Sequence, residues 1–138
     1  MKRSFAVALA IGISAFAVAP ALAEVLQFKA SLDGKSESPP TDSAATATAD
    51  VSIDTAAKTI TWTTKSTGLT GAATAAHFHG PADPGTNAKP EIDISKSIEQ
   101  GTAPITEAQI ADFNAGKIYI NIHTAKFPNG EIRGQVSK

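Results

Sequence analysis

The stretch from Ala45 to Asp54 reads ATATADVSID, and it decides the fold class. Its odd-numbered positions hold alanine, valine and isoleucine, whereas its even-numbered positions hold threonine, serine and aspartate. Because successive side chains of a strand point to opposite faces, this alternation predicts a β-strand with one buried face and one wet face. The threonines support the prediction, since β-branched side chains suit a pleated, half-exposed surface.

The same two-residue period continues on either side of this stretch. Before it, one face of a predicted strand holds Leu26, Phe28, Ala30 and Leu32. After a short turn at residues 55–58, one face of the next strand holds Ile60, Trp62 and Thr64. The segments on either side of this turn therefore form a predicted hairpin with a wet outer face.

The C-terminal part of the chain predicts a second hairpin. Its first strand carries isoleucine at positions 118, 120 and 122 on one face, and the other face carries Tyr119, Asn121 and His123. A turn follows at residues 127–130, where Pro128 presets φ and Gly130 tolerates a left-handed conformation. The second strand then carries Ile132, Gly134 and Val136 on its apolar face, opposite Glu131, Arg133 and Gln135.

One helical signal interrupts the strands. Thr106 and Gln109 fit a capping box, with Thr106 as the N-cap. Ile110 and Phe113 form the buried stripe of the predicted helix, and Gly116 suits the position just after its end.

These elements together predict an all-β fold. Further short strands are expected at residues 74–79 and around Ile92 and Ile94, separated by a loop at residues 80–90 that holds three prolines and two glycines. The prediction is a single antiparallel β-sandwich of about six to eight strands, Greek-key or immunoglobulin- or dismutase-like, with one short connecting helix near residues 106–115.

The first 23 residues have the layout of a secretory signal peptide. Lys2 and Arg3 precede an apolar run, Pro20 breaks the run, and small residues stand at the two positions that a signal peptidase reads, which predicts cleavage after Ala23. The run is shorter than the roughly 20 residues that a membrane-spanning helix needs. We therefore expect one domain over residues 24–138, without a membrane span, in an exported protein that is periplasmic or extracellular.

Charge and cysteine content exclude several classes of site. Residues 24–138 carry ten basic and thirteen acidic side chains, a net charge of −3, which excludes nucleic-acid binding through bulk positive charge. The chain has no cysteine, which excludes disulfides, thiolate catalysis, zinc fingers, iron–sulfur clusters and blue-copper sites. Any metal ion must therefore be held by histidine, carboxylate, amide or backbone groups.

Three histidines, His77, His79 and His123, are the candidate metal ligands. His77 and His79 flank Phe78, so on a strand their imidazoles point the same way and can converge on one ion. His123 lies on the polar face of a different predicted strand. If the two strands are neighbours, three imidazoles meet; otherwise the histidines are unrelated polar residues of the surface.

Other polar residues are candidates for supporting roles. Arg133 is the one arginine after residue 23, and hairpin register places it diagonal to His123, either as a guide for anions or as a cross-strand partner of Glu131 or Gln135. Tyr119 and Asn121 are candidates for groups that hold the ligands in place. The candidates for a fourth ligand are Asp83, Asp93 and Glu131.

The segments TAAHFHGPA (74–82), YINIHT (119–124) and FPNGEIRGQV (127–136) together resemble the CHRD domain, the module named after chordin. The resemblance runs from about residue 26 to residue 136. It implies an all-β extracellular domain, found in animals within secreted signalling antagonists and in bacteria as a stand-alone exported domain. It implies little about activity.

A fainter resemblance is to copper/zinc superoxide dismutase, which places copper on an HxH strand with further histidines and an arginine late in the chain. His77, His79, His123 and Arg133 follow that order. The chain lacks the fourth histidine and the cysteines of that family. A bridged two-metal site is therefore not expected, whereas a mononuclear copper site stays open.

Three functions of different classes follow. The first is a non-catalytic exported domain that binds one metal ion, with copper(II) as first choice, because it stands highest in the Irving–Williams order, and zinc as second. The second is a copper-dependent oxidoreductase acting on superoxide. The third is a protein-interaction module without metal, which binds an exported or extracellular protein.

Overall fold

A computed structural model describes residues 23–138, so the predicted leader, apart from Ala23, lies outside the described residues. The described chain forms eight strands and one helix. In chain order these are β1 (Val25–Asp33), β2 (Thr46–Asp54), β3 (Thr59–Thr67), β4 (Ala73–His79), β5 (Pro90–Asp93), β6 (Gln100–Pro104), α1 (Glu107–Asn114), β7 (Tyr119–Thr124) and β8 (Ile132–Gln135).

All eight strands belong to one antiparallel sheet, in the order β5-β4-β7-β8-β1-β2-β3-β6. The sheet is nearly closed, so that its two halves face each other across the core. Trp62 of β3 and Phe78 of β4 lie far apart in the strand order, yet their rings meet edge to face at 6.1 Å between centroids. The predicted all-β class and the short connecting helix are confirmed.

The alternation in the sequence matches the burial in the structure. In β1 and β2 every second residue is buried, and these are the apolar residues of the predicted inner face. In β3 the inner face includes Thr64, whose hydroxyl donates to the carbonyl of Ile98 at 2.6 Å. A buried hydroxyl is tolerated on this face because it has that acceptor.

The helix α1 begins as the sequence predicts. The Thr106 hydroxyl accepts from the backbone N–H of Gln109, and the Gln109 side chain accepts from the backbone N–H of Thr106. Phe113 of α1 packs against Phe28 and Phe78, with centroid distances of 5.6 Å and 5.7 Å. Among the described residues no helix is long and apolar enough to cross a membrane.

Strand β6 is not predicted by the sequence, because its five residues QGTAP lack an apolar alternation. It forms because the edge of β3 offers unpaired backbone groups, and Gly101 lies opposite Trp62 in the pairing. A Cβ on Gly101 would collide with the Trp62 ring, so the glycine leaves room for the indole beside this strand. Ile98 lies in the connection between β5 and β6.

The outer face of β7 and β8 differs from the wet face that the alternation predicts. Tyr119, Asn121 and Arg133 point away from the isoleucine face, yet all three are buried. Residues of the loops at 36–42 and 80–90 cover them, through contacts described below. A polar face that is covered by loops gives the fold a second, polar interior beside its apolar core.

Candidate metal centre

The pairing of β4 with β7 brings the three histidines together. His77 lies opposite Asn121, His79 opposite Tyr119, and His123 opposite Ala75. One ring nitrogen from each histidine lies within 4.8 Å of one nitrogen of each of the others. Such a group is compatible with the binding of one metal ion.

The nitrogens at the centre of this group are identified by their contacts. His77 Nδ1 lies 3.2 Å from His123 Nε2. The Asn121 Oδ1 atom lies between two of the rings, 3.0 Å from His79 Nε2 and 3.1 Å from His123 Nε2. We call these three nitrogens, His77 Nδ1, His79 Nε2 and His123 Nε2, the inner nitrogens.

The outer nitrogens of the three rings face acceptors. His79 Nδ1 lies 2.9 Å from the carbonyl oxygen of Ala88, and His123 Nδ1 lies 2.9 Å from that of Pro128. A carbonyl oxygen only accepts hydrogen bonds, so both Nδ1 atoms carry a proton and both Nε2 atoms of the neutral rings present a lone pair. Metal-binding histidines are held in this way, through the nitrogen that does not bind the metal.

His77 is oriented by a weaker contact of the same kind. Its outer nitrogen, Nε2, lies 3.8 Å from the carboxylate of Asp93 on the neighbouring strand β5. Hydrogen bonds from Ser95 hold the pKa of Asp93 below its usual value, so this carboxylate is charged at neutral pH. All three outer nitrogens thus face oxygen atoms, and the three inner nitrogens converge.

Burial and mutual repulsion keep two of the rings neutral. Burial lowers the pKa of His77 from its ordinary value of 6.5, and the neighbouring imidazoles of His123 and His79 lower it further. Burial also lowers the pKa of His79, although the oxygens of Ala88 and Asn121 beside its two nitrogens favour the protonated ring and act in the opposite direction. A neutral imidazole is the form that binds a metal ion.

Tyr119 and Arg133 stack against one face of the His79 ring. The Tyr119 ring stacks on the His79 ring, and the Arg133 guanidinium covers the other face of Tyr119 at 3.4 Å from its centroid. Arg133 donates to the carbonyl of Thr86 at 2.8 Å and to the side-chain oxygen of Asn87 at 3.2 Å. The guanidinium therefore fixes the loop at residues 80–90 over the sheet.

None of the three carboxylates that the sequence analysis names as a possible fourth ligand is recorded in contact with the inner nitrogens. Asp93 faces the outer nitrogen of His77, as described. Asp83 pairs with the ammonium group of Lys117. Glu131 accepts hydrogen bonds from the hydroxyls of Ser43, Thr70 and Thr124.

Glu37 is a residue of the site that the sequence does not single out. It lies in the loop after β1, is 7% exposed, and lines a cleft of about 310 Å³ together with His79, His123 and Asn121. Burial raises the pKa of Glu37, whereas the nearby Arg133 charge and the Asn121 amide work to lower it. Apolar and polar residues do not alternate in this loop, so no local sequence pattern predicts that Glu37 is buried.

Comparison with known proteins identifies the family. Residues 28–136 match the model of the CHRD domain, a segment that contains all three histidines, Asn121 and Arg133. No curated protein and no solved structure matches the chain. The resemblance carried by the motifs around His77 and His123 is thus confirmed over nearly the whole described chain, which belongs to the CHRD domain family.

Proposed function

We propose that this protein is an exported domain that binds one metal ion through His77, His79 and His123. One observation carries the proposal: the three inner nitrogens converge, while every outer nitrogen faces an oxygen acceptor. A hydrogen bond between His77 and His123 can account for the approach of two of the rings, but no hydrogen bond joins the ring of His79 to either of them. A cation at the point where the inner nitrogens converge binds all three.

Copper(II) is the first choice of metal and zinc the second. The nitrogen-rich ligand set excludes a preference for calcium or magnesium, which take oxygen ligands. Copper(II) forms the tightest complexes with such ligands in the Irving–Williams order, and zinc(II) accepts the same imidazoles. The physiological role that we propose is metal handling or structural stabilisation in the periplasm or outside the cell.

The position of Arg133 supports a binding role over catalysis on an anion. Its donors contact Thr86 and Asn87, and the ring of Tyr119 separates its guanidinium from His79. An arginine that guides an anion to a metal must present free N–H groups to the site. Arg133 supports the site through packing instead.

Titration of the protein tests the proposal. The chain from Glu24 onward, which contains all eight strands, is purified without a histidine tag and titrated with copper(II) and zinc(II) by calorimetry. We expect one equivalent to bind. The bound metal should raise the melting temperature, because a ligand present at about 100 times its Kd stabilises the folded state by about 2.7 kcal/mol.

Two variants give the titration its control. His77→Ala removes one inner nitrogen at a half-buried position, and we expect it to abolish the rise in melting temperature. Asn129→Ala removes an exposed side chain that lines the same cleft, and it should bind as the wild type does. Absence of saturable binding of either metal to the wild type would sink the proposal and favour a protein-interaction module.

A further inference from the structure

We propose that the Asn121 side-chain oxygen is the fourth ligand of this metal ion and that Glu37 fixes the orientation of the Asn121 amide. This inference rests on the proposed function, since it assigns the remaining ligand of the same site. It also assigns the coordination: three nitrogens and one oxygen, all from the protein.

The distances around Asn121 Oδ1 are those of a ligand set. The oxygen lies 3.0 Å and 3.1 Å from two inner nitrogens, and the nearest pair of inner nitrogens is 3.2 Å apart. Ligand atoms on a tetrahedral ion with bonds of about 2.0 Å are separated by about 3.3 Å. The three distances are therefore close to those around a bound ion, and the remaining separations between the inner nitrogens are at most 4.8 Å.

The contacts of this oxygen with the two histidine rings favour a positive charge beside it. Asn121 Oδ1 only accepts hydrogen bonds, and the two Nε2 atoms that it faces present lone pairs, because their Nδ1 protons are directed at the carbonyls of Ala88 and Pro128. A proton on His77 Nδ1 can be donated to His123 Nε2, 3.2 Å away, but His79 Nε2 and Asn121 Oδ1 then still face each other as two acceptors. A metal ion resolves this arrangement by accepting all of the lone pairs at once.

Rotation of the Asn121 amide would turn its NH₂ group toward the histidines, where it could donate to their nitrogens without a metal ion. Glu37 opposes it in its ionised form, because the rotated amide would direct its oxygen at a buried carboxylate. The Glu37 carboxylate lies beside the Asn121 amide, and its Oε1 atom accepts no hydrogen bond from the described residues. Gly130 permits this close approach, since a Cβ there would collide with both Glu37 Oε1 and Asn121 Nδ2.

A site with four protein ligands has a different use from one with three. Structural zinc sites are closed by four protein ligands, whereas catalytic sites keep one position for water or substrate. A closed site holds its ion without activating a bound water. The geometry around Asn121 therefore points to a structural or storage site rather than to a reactive one.

Cobalt(II) provides the probe for this assignment, since its visible absorption is strong when four ligands surround it and weak when six do. We expect the wild type loaded with cobalt(II) to give the four-coordinate spectrum, and added azide to leave it unchanged. Azide binding to the wild type would show an open position and overturn the inference. This measurement needs no variant.

Substitutions at position 121 give an independent test. Asn121→Ala should weaken zinc(II) binding by about 10- to 100-fold, the usual cost of losing a group that supports a metal site, and should admit azide. Asn121→Asp retains an oxygen at this position and should keep the four-coordinate spectrum. Asn129→Ala is the matched control and should change neither quantity.

Failure of this inference differs from failure of the proposed function. If the wild type binds no metal, the proposed function fails before any variant is made. If the wild type binds but Asn121→Ala keeps the same Kd and spectrum, the histidine site stands and Asn121 is not a ligand. Either result overturns the assignment of the fourth ligand.

The role of Glu37 has its own readout. Glu37→Ala removes the group that holds the Asn121 amide, and we expect a weaker four-coordinate cobalt(II) spectrum that responds to azide. Glu37→Gln keeps an oxygen acceptor beside Asn121 Nδ2 and should restore the wild-type spectrum. Equal spectra for wild type and Glu37→Ala would show that Glu37 has no positioning role.

Discussion

The ring of His79 lies flat against the ring of Tyr119, with centroids 4.7 Å apart and planes 2° from parallel. Arg133 covers the opposite face of Tyr119, so imidazole, phenol and guanidinium form one stack. The Tyr119 hydroxyl lies 3.2 Å from the carbonyl oxygen of Ala88, which also accepts from His79. A candidate ligand, the loop at residues 80–90 and strand β8 are therefore joined through a single aromatic ring.

Two substitutions of Tyr119 separate its ring from its hydroxyl. Tyr119→Phe keeps the stack and loses the two hydrogen bonds between the hydroxyl and the backbone of Ala88, each of which should contribute about 0.5–1.5 kcal/mol of unfolding free energy. Tyr119→Leu also loses the cation–π contact with Arg133, which contributes about 2 kcal/mol when it is desolvated. Urea denaturation of both variants measures the difference. Equal losses would show that the stack contributes nothing to stability.

Substitution of Arg133 should loosen the loop at residues 80–90 selectively. Arg133→Lys keeps the charge but loses the planar fork and the stacking surface, which leaves the Thr86 carbonyl and Asn87 Oδ1 without their donors. We expect a loss of about 1–3 kcal/mol. Amide hydrogen exchange should accelerate in this loop and remain slow in β1 and β2.

Lys117 provides the control for Arg133. It contacts the same loop through an ion pair with Asp83, but both side chains of this pair are well exposed. Exposed ion pairs contribute about 0–1 kcal/mol, so Lys117→Ala should leave the exchange rates of the loop nearly unchanged. Faster exchange in Lys117→Ala than in Arg133→Lys would contradict the role given to the buried guanidinium.

Alternation predicts the strands whose two faces differ in polarity, and it fails where they do not. Residues 45–54 carry a full apolar and a full polar face, so the sequence alone predicts β2. Strand β6 has no such pattern and depends on the free edge of β3, which is a tertiary feature. The sequence accordingly predicts β2 and misses β6.

The candidate site is predictable only in part for the same reason. His77 and His79 are two positions apart, so the alternation of a strand is enough to predict that they lie on one face of β4. That β7 lies beside β4, which brings His123 within reach, depends on contacts between residues more than 40 positions apart. Glu37 comes from a loop without any periodic pattern, so only the folded chain reveals its position beside Asn121.

Gly130 should be required for the close approach of Glu37 and Asn121. Its φ of +126° is unfavourable for other residues, and a Cβ would collide with both side chains. We expect Gly130→Ala to cost about 1–3 kcal/mol of stability and to weaken metal binding. Thermal denaturation and zinc(II) titration measure the two effects.

Gly85 is the matched control for Gly130. It also has a positive φ, of +79°, but a Cβ there would meet no atom within 4 Å among the described residues. Gly85→Ala should therefore cost only the conformational strain, about 1–2 kcal/mol, and leave the metal affinity unchanged. A loss of metal affinity in both variants would show that strain in the loops, and not the collision at Gly130, disturbs the site.

Glu131 should make the fold more stable above pH 4.5 than below it. This carboxylate is fully buried and accepts hydrogen bonds from Ser43 at 2.7 Å and from the Thr70 hydroxyl at 2.8 Å. Burial acts to raise the pKa of Glu131, but these bonds and that from Thr124 outweigh it, so that the pKa lies below its ordinary value of 4.5. The folded chain therefore releases this proton more readily than the unfolded chain does.

The sign of the pH dependence follows from that lowered pKa. The stabilisation by the charged carboxylate is fully present above the unfolded value of 4.5 and is lost as the pH falls through the folded value. Glu131→Gln keeps the size of the side chain but cannot ionise, and it should cost about 1.5–3 kcal/mol at pH 7, the contribution of a hydrogen bond to a charged group. Urea denaturation of both proteins between pH 7 and about pH 3 measures the difference, which should shrink as the pH falls. A difference that stays constant over this range would show that the charge of Glu131 does not stabilise the fold.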